Sequence, residues 1–151
     1  ELQDDGRSVG GTDAARLAQL ARPRNILIVD DEVDALDLIT VELTQHGANV
    51  TGFTNAEDAL KAFDQRQFDL LVSDIGMPKM DGYELMRRVR KHEAGRDKRI
   101  PAVALTAYAR VQDRMQAILA GFSTHVAKPI EANELITVVA GLAGRLGGNG
   151  S

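Results

Sequence analysis

Asp30-Asp31, Asp74, Thr106 and Lys128 each close a short, largely apolar run, and the four runs lie far apart along the chain. Carboxylates brought together repel one another unless a cation compensates. Mg²⁺ suits them, being a hard ion that prefers oxygen ligands, keeps several waters and is often held by one or two carboxylates plus a phosphate. An ammonium adds a second positive charge, and a hydroxyl can donate a hydrogen bond. The set is what a trigonal phosphoryl group needs while its oxygens are neutralised in transfer. The sequence contains no GxxxxGK[ST] loop, so a nucleoside triphosphate site is unsupported. The attacking atom must then come from the protein or from water. Asp74 is the best-placed nucleophile, since carboxylates form aspartyl-phosphate intermediates.

These residues can meet only if the runs that end on them lie side by side. Ile26–Val29 is a four-residue aliphatic run, and residues 33–45 follow it with Val33, Leu36, Ile39, Val41 and Leu43 at roughly helical spacing, closing at His46-Gly47. Asn49–Phe53 reads as a second strand, Ala56–Phe63 as a helix, and Leu70–Val72 as a third strand ending at Ser73-Asp74. Asp81-Gly82 opens a helix through about His92, and Ala102–Leu105 is a fourth strand ending at Thr106. A helix over 109–120 stops at Gly121. His125–Ala127 form a fifth strand before Lys128-Pro129, and Glu131–Leu142 a last helix. Strands that alternate with helices pair in parallel through right-handed crossovers. The central strands lack polar alternation, as expected when helices cover both faces. The pattern predicts a doubly wound α/β sheet of five strands, whose ligands bind just beyond the carboxyl ends of the strands.

The chain has 151 residues, 44% hydrophobic and 26% charged, the size of one ordinary domain. With no cysteine, disulfides and thiolate metal sites are excluded, and a reducing compartment is suited. A formal net charge of −4 gives no general polyanion-binding surface. Residues 87–99 do hold seven Lys/Arg against two acids, but they fall at a helix C-terminus, where cations complement the helix dipole. No nucleic-acid contact is expected from them. No apolar run approaches the roughly 20 residues needed to span a bilayer, and no secretory signal is present. The expected organisation is a linker or the end of a preceding domain over 1–23, one domain over 24–144 and a flexible Gly-rich tail over 145–151. Thr12 would cap a short helix through Leu20, ended by Pro23. The start at Glu1 rather than Met suggests a piece of something longer.

At ILIVDD (26–31), SDIGMPKMDGYEL (73–85), ALTAYAR (104–110) and AKPI (127–130) the sequence resembles the receiver domain of two-component response regulators. Each motif alone is weak; all four, in order and at the right strand ends, are specific. The resemblance covers about residues 24–142 and implies a flavodoxin-like sheet of strand order 2-1-3-4-5. It also implies that Asp74 is the phosphoacceptor, that Asp31 binds Mg²⁺ directly with help from Asp30, and that the Gly76 carbonyl is a further ligand. Thr106 matches the switch hydroxyl and Lys128 the lysine that pairs with the phosphoryl group; a cis peptide before Pro129 is common in the family. One departure stands out. The family often has Tyr or Phe three residues before the lysine, where this chain has His125, so a purely aromatic switch does not transfer. Tyr108 and Gly76, beside the expected phosphoryl site, are rate-tuning positions.

Most of these residues also admit a simpler role. Asp30 and Asp31 could cap the following helix, Thr106 could be an ordinary strand-end hydroxyl, and Lys128 a solvated lysine. Of the histidines, His46 reads as a helix-end residue and His92 as solvated; none is a phosphodonor. Val111, Ile118, Leu135, Ile136 and Val139 should be mostly core, with a minority left as a docking face. The resemblance implies a partner histidine kinase or histidine phosphotransfer domain, no membrane contact by this chain and a cytoplasmic place, with a membrane-anchored parent allowed. A homodimer through the 109–120 helix, the fifth strand and the last helix stays open. The lead-in segment and the TAYAR and HVAKP variants look most like the C-terminal receiver of a hybrid histidine kinase; a stand-alone or N-terminal receiver is the runner-up. No output domain is expected after residue 144. A metal-dependent aspartyl phosphohydrolase and a non-phosphorylated interaction module are the competing classes. The first usually carries a second Asp two residues after the nucleophile, where Gly76 stands, and the second usually loses one of the site residues.

Overall fold

The computed structural model of the chain describes residues 23–96, 98–108 and 110–146. Strands β1 (Asn25–Val29), β2 (Asn49–Phe53), β3 (Leu70–Asp74), β4 (Ala102–Thr106) and β5 (Thr124–Ala127) alternate with helices α1 (Val33–Gln45), α2 (Ala56–Gln65), α3 (Gly82–His92), α4 (Val111–Ala120) and α5 (Ala132–Leu146). The strands form one sheet in the order β2-β1-β3-β4-β5, and the pairing is parallel throughout. Register places Val29 beside both Phe53 and Ser73, Asp74 beside Leu105, and Thr106 beside Ala127. All five carboxyl ends therefore reach one rim.

Side chains of a strand point alternately to its two faces, so a strand covered on both sides must be apolar at every position. Leu27, Val29, Leu71, Ala102 and Ala104 pack on one face with Phe63, Leu85, Met86, Val89 and Ala117 of α2, α3 and α4. Ile26, Ile28, Leu70, Val72, Val103 and Leu105 pack on the other with Ile39, Leu43, Leu135 and Val139 of α1 and α5. Each fully buried Leu, Ile or Val contributes roughly 1.5–3 kcal/mol relative to exposure. Of the residues predicted as mostly core, Leu135 and Val139 are buried, whereas Val111 and Ile118 are exposed.

Several ends differ from the sequence reading, for reasons of backbone pairing. β3 runs on through Ser73 and Asp74, because the ladder to β4 continues past the last apolar residue, as far as Ile75 N–H donating to the Leu105 carbonyl at 3.2 Å. α4 begins at Val111, since Arg110 keeps an extended φ/ψ of −75°, 155°. α5 continues to Leu146, past Gly144; glycine in a helix costs only about 1 kcal/mol relative to alanine. The helix predicted from Thr12 to Leu20 and most of the predicted tail, 147–151, lie outside the described residues.

His92 is solvent-exposed, as expected, and also meets Asp64 of α2 through Nδ1. The basic run around it is tied down locally. Glu84 holds Arg87 and Arg88 at 3.1 and 2.9 Å, and Arg90 donates to the Gly121 carbonyl at 2.7 Å and pairs with buried Glu93 at 2.7 Å. Gly121 ends α4 at φ 118°, and a Cβ there would sit 2.7 Å from the Arg90 side chain.

Gly82 has the most direct bearing on the rim. Asp81 caps α3 by accepting from Glu84 N–H at 2.9 Å, and Gly82 N–H donates to the Ile75 carbonyl at 2.9 Å. A Cβ on Gly82 would lie 2.3 Å from the Asp74 carbonyl oxygen and 2.9 Å from the Ile75 Cα, both backbone atoms that cannot move aside cheaply. Gly82→Ala is therefore expected to destabilise the fold by roughly 1–3 kcal/mol, the ordinary cost of overpacking. Urea denaturation would check this; an unchanged midpoint would show that the helix start yields without cost.

Candidate functional site

The rim is assembled by the strand ends. After β1, Asp30 N–H donates to the Phe53 carbonyl of β2 at 3.1 Å, and its Oδ1 accepts from Glu32 N–H at 2.9 Å. This side-chain turn, typical of Asp, reverses the chain into α1. Asp30 thus shapes the turn without capping the helix, whose N-cap is Glu32 and carries no side-chain cap bond. Its Oδ1 also accepts from Lys128 Nζ at 3.4 Å, and the buried side chain has a second oxygen, Oδ2. That Oδ2 lies 3.1 Å from Lys128 Nζ, without the alignment of a hydrogen bond. Asp74, the last residue of β3, is 6% exposed, and Asp31 is partly open to solvent. One carboxylate oxygen from each of Asp30, Asp31 and Asp74 lies within 4.8 Å of the other two.

Lys128 enters from the end of β5. Its N–H donates to the Thr106 carbonyl at 2.7 Å, and the peptide to Pro129 is cis. The ammonium stands 2.8 Å from Glu32 Oε1 and 3.3 Å from Asp74 Oδ1. Thr106 is 3% exposed, and its Oγ1 has no hydrogen-bond partner among the described residues. Three carboxylates, those of Asp30, Glu32 and Asp74, are thereby gathered around one ammonium.

The electrostatic consequences follow. Burial, with the charge of Asp30 beside it, pushes the Asp74 carboxyl up to about 6 despite the opposing pull of Lys128. Burial would lower Lys128, but hydrogen bonds to Glu32 and Asp30 and the charges of Asp74 and Asp30 outweigh it and raise it. The Lys128 hydrogen bond lowers Glu32. A cluster of three oxygen donors with excess negative charge and one open side fits a hard divalent cation that keeps water ligands.

Of the residues expected from sequence, Asp30, Asp31, Asp74 and Lys128 converge directly, and Thr106 joins through its backbone bond to Lys128. Gly76, two residues beyond Asp74, is itself exposed between partly buried Ile75 and buried Met77, with open space where a Cβ would be. Tyr108 is 62% exposed, its ring stacked by the Arg110 guanidinium at 4.6 Å. His125 is half-buried in β5, beside Ala104 of β4. Glu32 was missed. Its signal was the third consecutive acid after β1, which reads in sequence as an ordinary helix start.

Comparison with known proteins agrees with this geometry. Residues 26–140 match the family model described as the response regulator receiver domain. An uncharacterised 14.6 kDa protein from Leptolyngbya boryana is 46% identical over 115 residues, 76% of this chain and 86% of that protein. A probable transcriptional regulator, ycf27, of Cyanidium caldarium is 36% identical over 78% of this chain, which spans only 45% of its length. The sensor protein GacS of Pseudomonas syringae pv. syringae is 34% identical over 79% of this chain, which spans 13% of it. Among solved structures, a putative response regulator from Chloroflexus aurantiacus J-10-fl superimposes with a TM-score of 0.76 at 31% identity, covering 82% of this chain and all of that one. The receiver domain of Ssk1 from Saccharomyces cerevisiae, in complex with the histidine phosphotransfer protein Ypd1, shares the fold: TM-score 0.77, 22% identity, covering 83% and 92%. By its sequence and by its strand order alike, the chain belongs to the response regulator receiver domains of two-component signalling.

Proposed function

We propose that Asp74 accepts a phosphoryl group from a phosphohistidine on a partner kinase or phosphotransfer domain, with Mg²⁺ held by Asp30, Asp31 and Asp74 and by the Gly76 carbonyl. The observation that carries this reading is the convergence of three carboxylate oxygens within 4.8 Å of one another, with an ammonium 3.3 Å from Asp74. One Asp74 oxygen attacks phosphorus; the new P–O bond forms as the P–N bond breaks, its electron pair staying on the imidazole. Bound Mg²⁺ would neutralise the carboxylates and the equatorial oxygens in transfer. Lys128 adds its charge on the Asp74 side. Thr106 has a buried hydroxyl for which a phosphoryl oxygen would be the missing partner. Drawing that hydroxyl inward shifts the β4–α4 segment, with His125 free to repack in β5, so the output is a population shift biased by local charge.

Incubation with acetyl phosphate and Mg²⁺ tests the reading. A stoichiometric, acid-labile adduct on Asp74 is expected. Steady release of phosphate from a phosphomonoester would favour the phosphohydrolase class, although Gly76 leaves that chemistry without its second acid. No adduct would leave an interaction module.

Two parent architectures each have an observation behind them. The GacS match favours a receiver within a longer sensor kinase, with residues 24–144 as the unit that folds and 1–23 as the link to it. The Leptolyngbya relative, spanned over most of its length, favours a stand-alone receiver. Either would act in the cytoplasm; among the described residues no helix is long and apolar enough to cross a membrane. The genomic sequence preceding Glu1 decides between them. A homodimer through α4, β5 and α5 would be tested by sedimentation before and after phosphorylation.

A further inference from the structure

We infer that Arg110 is a positioning residue that holds Tyr108 away from the strand-end site and so sets how long a phosphoryl group on Asp74 survives; the inference rests on the assignment of Asp74 proposed above. A tyrosine combines a large apolar ring with one polar tip and ordinarily covers its ring against the protein. Tyr108 does not: it is 62% exposed. What holds it there is a short relay. The Arg110 guanidinium lies 4.6 Å from the ring centroid, and its Nε is 3.0 Å from Asp113 Oδ2. Asp113 sits in the first turn of α4, and its side chain is only 20% exposed. Ring, guanidinium and carboxylate are thus anchored to a helix rather than to the β4 end from which Tyr108 departs.

Tyr108 follows Thr106 by two residues, a span of at most roughly 7 Å of chain. Thr106 is buried at the site and bonded through its backbone to Lys128. A tyrosine side chain is about as long as that span, so a released ring reaches back over the rim. Hydrolysis needs water there. Its oxygen attacks phosphorus, the bond from phosphorus to the Asp74 oxygen breaks with the electron pair returning to the carboxylate, and dihydrogen phosphate leaves with both water protons. A ring lying over the rim excludes that water; a ring held by Arg110 admits it. An exposed cation–π contact is weak, so its loss should change the ring's position, and with it the lifetime, only roughly two- to fivefold.

The chain has two tyrosines and no tryptophan, so Tyr83→Phe leaves Tyr108 as the sole strong fluorophore. In that background, acrylamide quenching of tyrosine emission reads the ring's exposure directly. Arg110→Ala is expected to reduce quenching and to lengthen the aspartyl-phosphate lifetime two- to fivefold. Arg110→Lys, which keeps the charge but not the planar stack, should fall between. In the Tyr108→Ala background, Arg110→Ala should leave the lifetime unchanged, an outcome that general loosening of α4 would not give. Unchanged quenching, or a lifetime effect that persists without Tyr108, would overturn the inference. If no variant, nor the parent chain, takes up phosphoryl, the Asp74 assignment fails and takes the lifetime claim with it. The quenching measurement then still judges the latch.

Discussion

Asp74→Asn is expected to reduce phosphoryl uptake from stoichiometric to none, while the fold is kept. Asparagine has nearly the same shape, so the packing at the end of β3 survives, but the amide oxygen is a poor nucleophile and forms no acyl phosphate. Neighbouring carboxylates do not substitute well. Asp30 has Oδ1 bonded by both the Glu32 N–H and Lys128 and its second oxygen 3.1 Å from the same ammonium, and Asp31 is partly solvent-open, away from the 3.3 Å contact that Lys128 makes with Asp74. Intact-mass spectrometry under excess acetyl phosphate and Mg²⁺ reads the result as a gain of about 80 Da in the parent and none in the variant. Persistent labelling at another residue would move the acceptor elsewhere on the rim.

The same substitution should stabilise the chain when divalent cations are absent. The Asp74 carboxyl titrates near 6 in the folded chain, against 3.8 for the free group, chiefly because it is buried and secondly because Asp30 is charged beside it. The folded state therefore binds more protons than the unfolded state between these two values. Stability must fall as pH rises through that window, and the full penalty is present above about 6. Two pKa units correspond to at most about 3 kcal/mol, an upper bound for a group so closely coupled to Asp30 and Lys128. Asp74→Asn removes this contribution, so its metal-free melting temperature at neutral pH should exceed the parent's by roughly 5–10 °C. The gap should close towards pH 4. Millimolar Mg²⁺ should close it too, because binding to the folded parent adds stability that the variant largely lacks. A variant that melts several degrees lower at neutral pH would show that the Lys128 contact outweighs burial and repulsion.

The fold was legible because its signals are local and periodic. Ile26–Val29 and Ala102–Leu105 are apolar at every position, which only a strand covered on both faces requires, and Asp81-Gly82 marks the α3 start with a capping acid. The site was legible because parallel strands deliver their terminal residues to one rim, whatever lies between them in sequence. Helix ends were less so. α5 passes Gly144 because no proline stops it, and β3 includes Asp74 because backbone pairing is indifferent to the side chain it carries.

What could not be read in advance is where each polar group points. Glu32 looked like any acid opening a helix, yet its oxygen lies 2.8 Å from Lys128, a residue that reaches it across the sheet from β5. Asp30 reads in sequence as a cap or a ligand, and the structure shows its Oδ1 accepting from both the Glu32 N–H and Lys128 while Oδ2 faces the same ammonium. Tyr108 reads in sequence as a neighbour of the site, and the structure shows its ring exposed and stacked by Arg110, which Asp113 holds. Backbone pattern and strand-end chemistry are properties of short windows, so residue order alone settles them. The choice among staggered rotamers of a rim side chain depends on atoms supplied by distant segments, and those exist as neighbours only once the sheet has closed.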